Sequence, residues 1–139
     1  VLADGVARPG SLALLDRARA EIDRLTPHAA FIEQQQGAII VDVRTEVHRE
    51  SAPSIPGSLA IDLTVLPWRL DPGFDWRIPE ADRTDRRWIL ICRHGYSSSL
   101  AAWNLRQMGL TSTADVIGGF EAWQAAHLPT TDEAPDRRP

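Results

Sequence analysis

The sequence predicts an α/β fold in which helices cover both faces of a mainly parallel sheet. Three observations predict it. Short, predominantly apolar runs at 38–43, 88–91 and 113–117 have the length and character of strands buried on both faces. Stretches with apolar residues at helical spacing separate these runs. Glycine and proline stand at the junctions, where one periodicity gives way to the other. Strands alternating with helices in this way argue for parallel layers.

At 139 residues the chain is long enough to bury one core without disulfides or metals, and 43% hydrophobic and 24% charged residues are ordinary for a globular domain. A single cysteine excludes an intramolecular disulfide framework and any cysteine-cluster zinc site. His28, His48, His94 and His127 are scattered without ligand-like spacing, so no metal and no cofactor is expected. The net charge of −4 gives no basis for nucleic acid or an anionic membrane as a partner. All 15 basic residues are arginine, which we read as GC-rich bacterial coding and not as function. No apolar stretch approaches the ~20 residues of a membrane-spanning helix, and no basic-then-apolar leader opens the chain, so a cytoplasmic location is expected.

Taken in order, residues 1–10 read as a loose lead-in. Ser11 is a plausible N-cap, and Leu15, Ala18, Ile22 and Leu25 follow at helical spacing, predicting an amphipathic helix to at least Ala20. Thr26-Pro27 starts a second helix, with proline at its first position, that runs to Gln36 and closes at Gly37. Ala38–Val43 is a strand, with Asp42 and Arg44 at its C-terminal end, the end at which open α/β sheets bind ligands. An ion pair tying strand to loop is the role expected for these two. Thr45–Glu50 is a short helix, and the turn Ser54-Ile55-Pro56-Gly57-Ser58 precedes the strand Leu59–Ile61.

Residues 62–87 are broken by Pro67, Pro72, Gly73 and Pro79; Trp68 and Trp76 are expected to pin this segment to the body, and Arg69 and Arg77 either reach from it to an anion near Cys92 or, as surface arginines more often do, lie in solvent. Trp88–Ile91 is a strand leading to Cys92. Ala101, Leu105 and Met108 share a face of the following helix, which Gly109 ends, while Trp103 packs on a neighbouring face. Thr113–Ile117 is the last strand, Gly118-Gly119 a turn, and Phe120–Ala126 a helix packed by Phe120 and Trp123. Residues 130–139 read as a disordered tail.

The chemistry concentrates at Ile89–Leu100, where an apolar strand ends in the only cysteine and a serine-rich helix start follows. A lone cysteine at a strand end is most often an inert, buried hydrophobe. Gly95 and the serines after it argue otherwise, because they shape an anion-accepting turn at a helix N-terminus. Such a turn, with Arg93 beside it, lowers a thiol from the free value of ~8.5.

The loop Cys92-Arg93-His94-Gly95-Tyr96-Ser97-Ser98 resembles the active-site loop of the rhodanese family, in its Cys-x-His-Gly-x-Ser-Ser form found in single-domain thiosulfate sulfurtransferases. Two further marks stand in matching order. Val41-Asp42-Val43-Arg44 is similar to the family's Asp-x-Arg signature, and Gly118-Gly119-Phe120 with Trp123 to its Gly-Gly-x-x-x-Trp signature. The resemblance spans 26–129 and implies a central, mainly parallel sheet of about five strands with helices on both faces. Residues 1–25 would then be an N-terminal extension, and 22–25 an edge strand instead of helix.

It also implies sulfane-sulfur transfer. A Cys92 thiolate takes sulfur from a small anionic donor such as thiosulfate, or from a persulfide, and a thiol, cyanide or a sulfur-accepting protein discharges it. Arg93 is expected to bind the donor, with His94, Gly95, Tyr96, Ser97 and Ser98 around it and Asp42 and Arg44 scaffolding the loop. Ser97 stands where many relatives carry arginine or threonine. Ser98 stands where a phosphate-ester branch of the fold closes its longer loop with arginine, which argues against phosphatase chemistry. A non-catalytic interaction module and a persulfide carrier are the other functions the resemblance admits.

Overall fold

The structure, a computed structural model, describes residues 9–139, so most of the expected lead-in lies outside the described residues. Six parallel strands form one sheet: β1 (Asp23–Leu25), β2 (Ile39–Asp42), β3 (Leu59–Ala60), β4 (Trp88–Ile91), β5 (Thr113–Val116) and β6 (Asp136–Arg137), in the order β1-β5-β4-β2-β3-β6. The helices are α1 (Ser11–Arg19), α2 (Pro27–Gln35), α3 (Glu46–Glu50), α4 (Leu66–Arg69), α5 (Ser97–Gln107) and α6 (Gly119–Ala125). No helix among the described residues is long and apolar enough to cross a membrane.

Strand alternation splits the core between the faces. Val41, Trp88, Leu90, Leu66 and Leu105 belong to one buried cluster, and Ile40, Ile89, Ile91, Phe120 and Trp123 to the other. β4 is buried along its whole length, with β2 and β5 on its two sides, so Cys92 leaves the centre of the sheet at the C-terminal strand ends. Thr26 and Thr45 cap α2 and α3, each accepting an N–H at 3.2 Å from the third residue on, and Pro27 opens α2.

Three expectations are corrected, and one open choice is decided: α1 stops at Arg19 and β1 begins at Asp23, so 23–25 takes the edge strand and Leu25, paired with Val116, forgoes the helical register its spacing suggested. Of residues 1–25, the described 9–25 supply α1 and the edge strand β1. Residues 130–139 do not form a disordered tail: Ser54 and Thr131 exchange backbone hydrogen bonds, and β6 pairs with β3, giving a sheet of six strands. Their backbone groups find partners on an open sheet edge, which a polar composition does not reveal.

Trp68 and Trp76 are 51% and 72% exposed; Leu66, Leu70, Ile78 and Ala81 do the anchoring, because these compact apolar side chains fill the space under the segment. Met108 is at the C-cap of α5 and 38% exposed, past the last turn that buries Ala101 and Leu105.

Candidate active site

Cys92 follows β4 and precedes α5, so its thiol sits where the loop 92–98 turns back toward the helix start. Gly95 has φ +87, a conformation that favours glycine, and this aims its N–H at Cys92 Sγ from 3.1 Å. The Ser98 N–H points at the same sulfur from 3.4 Å, and Ser98 Oγ lies 3.2 Å away. Cys92 is only 4% exposed. Burial pushes its thiol up, but hydrogen bonds from the Ser98 and Ser97 hydroxyls and from the Ser98 and Gly95 N–H groups outweigh that, and the thiol lies below its ordinary value.

The back of the loop is held by backbone. The Phe120 N–H donates to Cys92 O at 2.7 Å, and the Glu121 N–H donates to Arg93 O at 3.2 Å. Gly119 makes this approach feasible: a Cβ there would lie 2.5 Å from Cys92 O and 2.6 Å from Arg93 O. Phe120 in turn carries the Arg44 guanidinium over its ring, 3.9 Å from the centroid. Asp42 grips Arg44 from below, with Arg44 Nη2 to Asp42 Oδ2 at 2.8 Å, and both residues are buried. Asp42 and Arg44 thus meet the loop through Phe120, without touching the sulfur.

The remaining predicted residues divide. Arg93 Nε donates to Glu121 Oε1 at 3.2 Å, while His94 Nδ1 is 3.1 Å from Glu121 Oε2, all three side chains about half exposed. The Arg93 guanidinium comes first among the causes that lower the Glu121 carboxyl below its usual range. Tyr96 is 62% exposed beside the loop, under the Arg19 guanidinium. Arg69 and Arg77 do not reach the site; they bond to carbonyls of their own segment, Trp76 O for one and Ile78 O and Pro79 O for the other. Tyr96 occupies the N-cap of α5 without a side-chain bond, and Ser98 and Ser99 turn inward and are fully buried.

Sequence reasoning missed what those serines meet. Asp115 of β5 is fully buried; its Oδ2 accepts from Ser98 Oγ at 2.9 Å and Ser99 Oγ at 2.7 Å, and its Oδ1 from Arg24 Nε at 2.9 Å. Arg24 Nη2 and Arg19 Nη2 both donate to Gly95 O, at 3.2 and 2.8 Å. The one available signal was a charged residue inside the apolar run 113–117, which a strand buried on both faces tolerates only when that charge is paired.

Comparisons with known proteins agree with this geometry. The profile of the Rhodanese-like domain matches residues 28–126. The chain is 34% identical over 107 residues to the thiosulfate sulfurtransferase GlpE of Pseudomonas savastanoi pv. phaseolicola, covering 77% of this chain and 92% of that one. It is 35% identical over 104 residues to the GlpE of Stutzerimonas stutzeri, covering 75% and 86%. Among solved structures, a protein of unknown function from Rhodopseudomonas palustris, described as a possible tyrosine phosphatase, matches with a TM-score of 0.80 and 31% identity over 94% of this chain and 100% of its own. That likeness extends past the span of the domain profile into the terminal segments.

Proposed function

This chain belongs to the rhodanese-like domain family, and we propose that it is a thiosulfate-type sulfurtransferase working through a persulfide on Cys92. The observation that carries the proposal is the set of N–H and O–H groups of Gly95 and Ser98 converging on a buried sulfur. In this environment a thiolate is stabilised by fixed donors that need no reorganisation, as an oxyanion hole stabilises oxygen.

The Cys92 thiolate attacks the outer sulfur of thiosulfate; the donor's S–S bond breaks and sulfite departs with its electron pair. Cys92 Sγ is left bonded to an anionic terminal sulfur. An acceptor thiolate or cyanide then attacks that sulfur, and Cys92 returns as thiolate. No general base is required, because the nucleophile starts ionised. Gly95 and Ser98 hold the sulfur anion, and Tyr96 and Ser97 border it. Asp42 and Arg44 act at a distance, by fixing Phe120 and through it the carbonyl of Cys92. Arg93 and His94 can take up a donor's sulfonate only by releasing Glu121. An uncharged or organic persulfide needs no such exchange, so donors of that class are favoured alongside thiosulfate.

Phosphatase chemistry, suggested by the description of the R. palustris structure, is disfavoured. The loop position where that chemistry needs a cation is Ser98, and behind it stands the Asp115 carboxylate, 2.9 Å from Ser98 Oγ. A phosphate dianion would find no cation at that position.

The test is a mass spectrum after incubation with thiosulfate. A gain of about 32 Da, one sulfur atom, on wild type but not on Cys92→Ser supports the proposal. Absence of the adduct with thiosulfate and with organic persulfides would leave a rhodanese-like interaction module. Persistent thiocyanate formation by Cys92→Ser would remove Cys92 from the chemistry.

A further inference from the structure

The mechanism above has no use for Asp115, yet a fully buried carboxylate stands one hydroxyl away from the reacting sulfur. Ser98 Oγ lies 3.2 Å from Cys92 Sγ and 2.9 Å from Asp115 Oδ2, and it has one hydrogen to give. We propose that Asp115 is a positioning residue that competes with the Cys92 sulfur for the Ser98 hydroxyl hydrogen, so that Ser98 is a two-position switch following the ionisation of the thiol. The proposal rests on Cys92 being the nucleophile.

With Cys92 protonated, S–H donates to Ser98 Oγ and the Ser98 hydroxyl donates to Asp115. When the thiol ionises, its proton leaves to solvent and the Ser98 hydrogen rotates onto the thiolate. The Ser98 O–H bond does not break. Asp115 can release it because two other partners remain: Arg24, with Nε 2.9 Å from Oδ1 and Nη2 3.3 Å from Oδ2, and Ser99 Oγ, which at 2.7 Å is nearer to Oδ2 than to its alternative acceptor Gly95 O at 3.2 Å. A carboxylate without them would keep the hydrogen and leave the sulfur unsatisfied.

Other charged groups surround the loop but are committed elsewhere. Arg24 from β1 pairs with Asp115, and Arg24 and Arg19 donate to Gly95 O. Arg93 and His94 are paired with Glu121 of α6. From β2 and the turn after it, Asp42 and Arg44 pair with one another, and His48 of α3 lies edge-on to Phe120. Among them Asp115 alone accepts from a hydroxyl that also lies within hydrogen-bond reach of the sulfur.

The experiment is the pH dependence of Cys92 alkylation by iodoacetamide, which reads the thiol whether or not thiosulfate is the donor. Asp115→Asn should lower the midpoint by about one pH unit, raising the rate below the midpoint about tenfold. Ser98→Ala should raise the midpoint, and in that background Asp115→Asn should lose its effect. Because Asp115→Asn strands Arg24, the ion pair is also replaced as a unit by Arg24→Gln with Asp115→Asn. Its net charge is zero before and after, so a lowered midpoint there, abolished by Ser98→Ala, comes through the hydroxyl and not through the field. Equal shifts with and without Ser98 would overturn the switch in favour of direct charge repulsion, and no shift in either Asp115 variant would overturn the role of Asp115 altogether.

Discussion

The two ends of the chain close opposite edges of the same sheet, and both fall outside residues 28–126, yet they are tied in differently. At one edge α1 and β1 send Arg19 and Arg24 inward to Gly95 O, and Arg24 neutralises Asp115 behind the loop. At the other, β6 extends β3 with its ion pairs facing solvent. Arg137 Nε meets Glu46 at 2.9 Å, and Arg138 meets Glu80 at 2.8 Å. The N-terminal edge therefore sets the shape of the site, while the C-terminal edge seals a strand that would otherwise be open. Similar numbers of arginine contacts do different work because Asp115 is fully buried whereas Glu46 is not. A charge without water depends on its partner far more than one that solvent already screens.

Substitutions at the N-terminal edge should cost the most. Arg24→Ala strands the buried Asp115, and a loss of about 3–5 kcal/mol is expected in urea unfolding. Arg137→Ala at the opposite edge should cost about 1 kcal/mol or less. Comparable losses at the two edges would erase the distinction.

Arg19→Ala tests the site without stranding a charge. It removes one charge-assisted hydrogen bond to Gly95 O, worth about 1.5–3 kcal/mol, so kcat/KM for thiosulfate should fall about tenfold or more. The urea midpoint should fall by less than for Arg24→Ala, since no buried charge is stranded and Arg19's other bond, to Ser99 Oγ, is to a neutral group.

Deleting residues 134–139 should do the reverse. A few edge hydrogen bonds of about 1 kcal/mol each are lost, so Tm falls while kcat/KM at 25 °C stays within about twofold of wild type. A large loss of activity would mean that β6 reaches the site through β3 and β2.

The smallest effect is expected in acid. Glu46 is pulled from its ordinary 4.5 to about 2, by the hydrogen bond from Arg137 first and from Arg49 second. Arg138 likewise holds the Glu80 and Asp136 carboxyls low. A carboxyl lowered on folding stabilises above its unfolded value, and that contribution fades as pH drops through the folded one. β6 should therefore loosen between about pH 4.3 and 2. NMR signals of the Arg137 and Arg138 amides followed over that range should shift before those of β4, and simultaneous change would mean global unfolding.

Much of this was legible along the chain. Predominantly apolar runs located β2, β4 and β5, since a strand buried on both faces shows no alternation of polar and apolar sides. Thr26-Pro27 and Thr45 marked helix starts, because capping is chemistry between near neighbours. The loop 92–98 stood out for the same reason: the thiol, Gly95 and Ser98 that meet at the sulfur lie within seven consecutive residues.

What the tertiary structure alone decided is which distant groups share the low-dielectric space behind that loop. Asp115 stands 17 residues from Ser98, and Arg24 stands 91 from Asp115, and no periodicity links them. Arg93 looked like a ligand for an anion until folding brought Glu121 beside it, 28 residues on. β6 went unseen because its pairing draws on backbone groups, which every sequence carries alike, and the open edge of β3 chose the partner. Local chemistry is written in local order; the pairing of buried charges is set by the packing that removes water from around them.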